Sequence, residues 1–191
     1  MLGSLVGAAM GRQLYALSRN IDRRRVQTGH RRRSVGAQRA LGRRRVSPEE
    51  LDAAVIGLVD RITRRLRAAG RTGRTVLLRL RFDDFTRVTR SHTMVRATAS
   101  TAPVLAAARE LVAAAAPLIA ERGITLIGFT VSNIDRDGAQ QLELPLDGRG
   151  PALLDLDAAV DRVRHRYGNS AVTRGVLVGR DPGLEMPQLP D

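Results

Sequence analysis

The sequence predicts an α+β domain of element order β-α-β-β-α-β, a four-stranded antiparallel sheet with two helices on one face. Three observations lead there. Between Arg74 and Val95, two stretches of period-two alternation flank an acidic turn, which is the pattern of a half-buried hairpin. Two long stretches of helical periodicity, one on each side of that hairpin, supply the helices. Two further alternating or apolar segments, at Ser34–Leu41 and Ile124–Ile134, supply the first and last strands in chain order.

Taken in order, Leu2 to Arg19 predicts an amphipathic helix with Leu5, Ala9, Leu14 and Leu17 on a weak stripe. Gly3, Gly7 and Gly11 each lower its propensity by ~1 kcal/mol relative to Ala, so it needs packing partners. Asn20 to Arg33 is a polar connection holding Arg23-Arg24-Arg25 and Arg31-Arg32-Arg33, whose like charges keep it extended. Ser34–Leu41 sets Val35, Ala37, Arg39 and Leu41 against Ser34, Gly36, Gln38 and Ala40, with Gly36 marking a close backbone approach.

Ser47-Pro48-Glu49-Glu50 opens the first long helix, with Ser47 as N-cap, Pro48 at N1 and Glu50 completing a capping box. Leu51, Val55, Leu58, Val59, Ile62 and Leu66 form its apolar stripe, and Gly70 ends it. In the hairpin, Val76, Leu78, Leu80 and Phe82 alternate with Thr75, Leu77, Arg79 and Arg81. Asp83-Asp84 makes the turn, and Arg87, Thr89, Ser91 and Thr93 then alternate with Val88, Arg90, His92 and Met94. One face of the hairpin thus carries rows of guanidinium and hydroxyl groups, which suit phosphates better than base edges.

Thr101 to Arg122 is the second long helix, with Pro117 expected to kink it and Gly123 to stop it. Ile124–Ile134 is apolar enough to be a central strand. Beyond it, Gln141–Leu146 (QLELPL) lies in a polar, Gly-flanked segment. Asp155 is placed to cap a short helix with Leu156, Val160, Val163 and Tyr167 on one face, and Arg180–Asp191 reads as a loosely docked tail.

Composition narrows the function. The 191 residues carry a formal charge of +13, from 32 basic and 19 acidic residues, and every basic residue is Arg. Such a balance, with arginines on strands, points to a nucleic-acid backbone. The absence of cysteine excludes disulfides, thiol catalysis and Cys-based metal sites. His30, His92 and His165 show no ligand spacing, so no metal site or catalytic residue is assigned. No apolar run approaches the ~20 residues of a membrane span, and a cytoplasmic protein is expected.

Three blocks in order and spacing, RSVGAQRAL, GRTVLLRLRFDDFTRVTRSHTM and RGITLIGFTVSNI, resemble the little finger domain of Y-family translesion DNA polymerases, nearest the DNA polymerase IV (DinB) type. GRQLYALSRNIDRRRV is similar to the last thumb helix and tether of those enzymes. The resemblance implies residues 1–22 as a thumb remnant, 23–33 as a basic tether, 34–136 as the little finger and 137–191 as a clamp-binding motif with an extension. It implies phosphate contacts with primer–template duplex DNA at Arg33, Ser34, Gly36, Arg79, Arg81, Arg87, Arg90, Ser91 and Thr93, although Arg90 lies on the other parity of its strand. QLELPL is similar to the bacterial sliding-clamp-binding hexapeptide, with Leu144 and Leu146 as anchors, Leu142 supporting and Gln141 as a hydrogen-bonding latch.

The resemblance covers Leu2 to Leu146 and omits the palm. A polymerase needs paired carboxylates there for two Mg²⁺ ions, and no counterpart is read in this chain. The expectation is therefore a DNA-binding and clamp-binding region without polymerase activity of its own, no cofactor, and a catalytic core as partner if that is encoded separately. A stand-alone clamp- or nucleic-acid-binding adaptor is the alternative. An RNA recognition motif shares the strand order but needs base-stacking aromatics, and aromatics are only 3% here.

Overall fold

The computed structural model describes residues 2–25, 33–134 and 149–180. They fall into two compact units, one N-terminal through Arg31 and one from Arg32 onward.

The N-terminal unit holds two helices where the sequence predicts one: α1 (Leu2–Val6) and α2 (Ala8–Ser18). Gly7 separates them with φ +85°, a left-handed conformation that an L-residue adopts only with strain. Most of the unit's apolar side chains, among them Leu5, Met10, Leu14 and Tyr15, are exposed, so the weak stripe is left uncovered within it.

The second unit is the predicted β-α-β-β-α-β arrangement. Strands β1 (Ser34–Ala40), β2 (Gly73–Phe82), β3 (Arg87–Thr98) and β4 (Ile124–Ile134) form one sheet in the order β1-β4-β2-β3. All three pairings are antiparallel. Helix α3 (Pro48–Ala68) connects β1 to β2, and α4 (Thr101–Arg122) connects β3 to β4. In each connection the joined strands are parallel and one strand lies between them.

Burial explains why both helices lie on one side. Val76, Leu78, Leu80 and Phe82 of β2 are fully buried, as are Ile127 and Val131 of β4. Against them pack Val55, Val59, Ile62 and Leu66 of α3 and Val104, Ala108, Leu111 and Ala115 of α4. Fully burying one such Leu or Phe side chain stabilises by roughly 1.5–3 kcal/mol, so this layer dominates the energetics.

Local signals hold with adjustments. Ser47 Oγ accepts from the Glu50 N–H (3.2 Å), as an N-cap should. The Glu50 carboxylate, however, is engaged by the Arg44 guanidinium rather than closing the box. Helix α4 runs from Thr101 to Arg122 with Pro117 inside it. By length and composition α4 is also apolar enough to cross a membrane, which a search for unbroken apolar runs overlooks because alanines carry the hydropathy. Its larger buried side chains nevertheless face the sheet.

The largest departure is helix α5 (Arg149–Tyr167), which starts before Asp155 and is longer than predicted. Asp155 lies inside it and is exposed. Of the predicted stripe Val160 is half-buried, but Leu156 is 61% and Tyr167 67% exposed, so the stripe does not define the packed face. Instead the polar residues Asp157 and Arg164 are buried. Arg67 of α3 is the hub: its Nε lies 2.6 Å from Asp161 Oδ2 and its Nη1 3.3 Å from Asp157 Oδ2. It also donates to the Ala99 carbonyl (2.9 Å) and Thr101 Oγ1 (3.1 Å). Asp157 accepts from the Thr101 N–H at 2.7 Å, so a carboxylate of α5 caps the N-terminus of α4. Ser100, the residue at the cap position, makes no side-chain cap of its own. Arg164 completes the docking through Asp60 (2.9 Å) and the Val172 carbonyl (2.9 Å).

Asp157→Ala is expected to destabilise the second unit by about 1–3 kcal/mol, since α4 loses its cap while Arg67 keeps Asp161. Asp157→Asn, which retains a capping oxygen, should lose less. Urea unfolding followed by circular dichroism reads both, and equal stability of Asp157→Ala and wild type would remove Asp157 from the docking.

The hairpin turn makes a second prediction. Hydrogen bonds from the Thr86 hydroxyl, Arg122 and the Thr86 N–H hold the Asp84 carboxyl down to about 2. Because the folded value is depressed below the ordinary ~3.9, the ionised form stabilises the turn above that value, and the contribution disappears as pH falls toward about 2. Asp84→Asn should flatten the stability–pH curve in that window, as measured by denaturation at successive pH values.

Candidate nucleic-acid interface

Within the second unit, no described helix packs on the sheet face opposite α3 and α4, and strand register places its side chains in four cross-strand rows. Ser34, Ser132, Thr75 and Thr93 form the first row. Gly36, Thr130, Leu77 and Ser91 form the second. Gln38, Gly128, Arg79 and Thr89 form the third, and Ala40, Leu126, Arg81 and Arg87 the fourth. One end of the face is thus a band of hydroxyls and the other a cluster of guanidiniums. No carboxylate stands in any row.

The hydroxyl end is tied together by side-chain hydrogen bonds. Thr75 Oγ1 and Thr93 Oγ1 are 3.1 Å apart, and Asn133 Nδ2 donates to Thr75 Oγ1 at 2.8 Å. Asn133 reaches it from a left-handed backbone, φ +52°. Gly36 fits tightly beside Thr130: a Cβ there would stand 2.7 Å from Thr130 Oγ1. Its role is this packing of a hydroxyl over a bare backbone position.

At the other end, Arg79 and Arg87 are exposed, with no carboxylate partner among the described residues. Arg81 is half-buried and donates through Nε to Thr125 Oγ1 at 2.9 Å, which fixes its direction. At the turn beside this end, Asp84 is engaged by Arg122 and stays ionised to low pH.

Of the residues predicted from sequence, Ser34, Gly36, Arg79, Arg81, Arg87, Ser91 and Thr93 share this one face. Arg33 is exposed immediately before β1. Arg90 is the exception: it stands opposite Leu78, on the helix-covered side of an edge strand. Side-chain alternation puts it there, since its neighbours Thr89 and Ser91 take the open face. Gln141, Leu142, Leu144 and Leu146 lie outside the described residues. Sequence reading passed over Thr75, Gln38, Thr130 and Ser132, although the alternation of Thr130 and Ser132 with Phe129 and Val131 was a usable signal.

Chemically, such a face can hold anions through guanidinium and hydroxyl donors without reading bases. No group of three or more His, Cys, Asp or Glu side chains that could hold a metal ion occurs among the described residues.

Residues 32–144 match the model of the impB/mucB/samB family C-terminal domain. The chain is 36% identical over 187 residues to DNA polymerase IV 2 of Mesorhizobium japonicum, covering 92% of this chain and 45% of that protein. It is 29% identical over 178 residues to DNA polymerase IV of Desulfatibacillum aliphaticivorans, covering 88% of this chain and 42% of that one. The chain thus spans less than half the length of these curated relatives. One chain of a solved complex of the beta-clamp processivity factor with the little finger domain of PolIV aligns with 59% of this chain and 99% of its own length, at 26% identity and a TM-score of 0.44. With the matched segment spanning the whole sheet and both helices that cover it, the chain belongs to the impB/mucB/samB family and carries that family's C-terminal domain, the C-terminal region of a Y-family polymerase.

Proposed function

We propose that this chain grips primer–template duplex DNA, independently of sequence, as the little finger region of a DNA polymerase IV engaged in lesion bypass. The observation that carries the reading is the uncovered sheet face, with Arg79, Arg81 and Arg87 at one end, hydroxyls at the other and no carboxylate between. Guanidiniums neutralise phosphates and release counterions, while Ser and Thr hydroxyls donate to phosphate oxygens between them. Ser34, Gly36, Ser91 and Thr93 belong to the hydroxyl half of the grip, and Arg33 extends it at the start of β1. Nucleotidyl transfer belongs to residues outside this chain.

In the same reading, residues 1–22 end a thumb, 23–33 tether it, 34–136 are the little finger and 137–191 carry the clamp motif and an extension. Gln141, Leu142, Leu144 and Leu146 contact the sliding clamp, the leucines entering an apolar pocket and Gln141 latching by hydrogen bond. Support for this comes from the order of residues in QLELPL.

Fluorescence anisotropy with a labelled primer–template duplex across a salt series tests the first part. Arg79→Ala with Arg81→Ala is expected to weaken binding and to reduce the slope of log K against log salt by roughly 1.8, about 0.9 per lost phosphate contact. An unchanged slope would refute the assignment of the sheet face. For the second part, Leu144→Ala with Leu146→Ala should abolish clamp binding in surface plasmon resonance while leaving duplex affinity as in wild type. Clamp binding of wild-type strength by that variant would reject the motif.

A further inference from the structure

The turn between β2 and β3 holds an aromatic ring where a small polar residue would be expected. Phe85 is 58% exposed and sits at φ +63°, a left-handed conformation that is strained for a bulky side chain. Its N–H donates to the Phe82 carbonyl at 3.0 Å, and Phe82 in turn donates to the Thr86 carbonyl at 3.0 Å, so the turn fixes the ring's position. Hydrophobic burial does not account for it, because the ring lies outside the core cluster.

Two guanidiniums flank that ring. Arg43 Cζ is 4.8 Å from its centroid and Arg81 Cζ is 5.7 Å. Both distances fall within the range in which a ring's quadrupole attracts a cation. Arg81 is already in the fourth row of the open face, but Arg43 comes from the connection after β1, a segment to which no function has been given. The route is short: the Leu41 N–H donates to the Thr125 carbonyl at 2.8 Å, and Gly42, at φ +76°, turns the chain. Its neighbour Arg44 is paired with Glu50, whereas Arg43 has no carboxylate partner among the described residues. Like cations gathered around one ring repel each other, and an anion bound between them would relieve that repulsion.

We propose that Arg43 is a further phosphate-binding residue of the interface, and that Phe85 is the positioning residue that holds Arg43 and Arg81 at the guanidinium end of the sheet. The grip then extends beyond the strands to the connection after β1. This rests on the reading of the sheet face as a duplex-binding surface.

The same anisotropy experiment, on the full chain with primer–template duplex across salt, separates the possibilities. Arg43→Ala should reduce the salt slope by about 0.9, the loss of one phosphate contact. Phe85→Ala and Phe85→Leu remove no charge, yet both should reduce the slope, because the two guanidiniums lose the ring that places them. Phe85→Tyr keeps the ring and should restore wild-type behaviour, a rescue that a merely structural apolar contact would give to Leu as well. Arg44→Ala, an equal loss of net charge in the same connection, should change the slope less than Arg43→Ala. Thermal melts by circular dichroism identify any variant that fails to fold; if Phe85→Ala does, the Leu and Tyr variants and Arg43→Ala carry the test. If Arg43→Ala leaves the slope unchanged, or matches Arg44→Ala, the inference is overturned while wild-type binding keeps the duplex reading intact. If the wild-type chain shows no salt-dependent duplex binding, the duplex reading itself fails.

Discussion

The structure of the second unit depends on the alternation of β2. Val76, Leu78, Leu80 and Phe82 are fully buried between the flanking strands and the helix layer. Because side chains on a strand alternate, burying these four commits Thr75, Leu77, Arg79 and Arg81 to the opposite face. A slip of one residue would drive two arginines into an apolar core, at a cost of several kcal/mol for each unpaired charge, so the register has little freedom. The two-sidedness of the sheet, one side packed and one side cationic, follows from that single strand and is passed through the pairings to β4, β1 and β3.

The helix layer is closed by a different kind of interaction. Arg67 bridges α3, the start of α4 and two carboxylates of α5, and Asp157 caps α4 in place of its own flanking serine. Charges taken out of water are stabilising only when their remaining hydrogen-bonding capacity is satisfied. Here the guanidinium also donates to the Ala99 carbonyl and the Thr101 hydroxyl, and no buried side-chain polar atom is left without a partner among the described residues. This network lies partly beyond residue 144, where the family match ends, so α5 is an addition to the matched domain rather than part of its minimum. Its polar contacts give it a defined seat that a greasy helix face would specify less tightly.

Placing arginines on a sheet leaves the problem of keeping long, flexible cations in useful positions. At the guanidinium end of the sheet the local partners are not carboxylates. Arg81 is directed by Thr125, and Arg43 and Arg81 lie beside the Phe85 ring. Neutral partners orient a guanidinium while leaving its charge available to a ligand, whereas carboxylate pairing would cancel it. At the turn, by contrast, Arg122 is paired with the Asp84 carboxylate and lies over the Phe82 ring.

The sequence by itself determined the strand and helix order, the two faces of the hairpin and the residues of the apolar layer, because periodicity is a local property that survives without coordinates. It also carried the chemistry of the open face at Arg79, Arg81, Arg87, Ser91 and Thr93, since those residues lie on strands whose partners are adjacent in sequence. What it did not carry required contacts between distant segments. The exclusion of Arg90 was visible only as parity, and the break at Gly7 only as lowered propensity. That α5 packs its charged side and exposes Leu156 and Tyr167 could not be read from its pattern, because the partners that make Asp157 and Arg164 burial tolerable, Arg67 and Asp60, lie about ninety to a hundred residues earlier. The meeting of Arg43 with Phe85 is of the same kind: two unremarkable exposed residues become a feature only when β1 and the β2–β3 turn finish at the same end of the sheet.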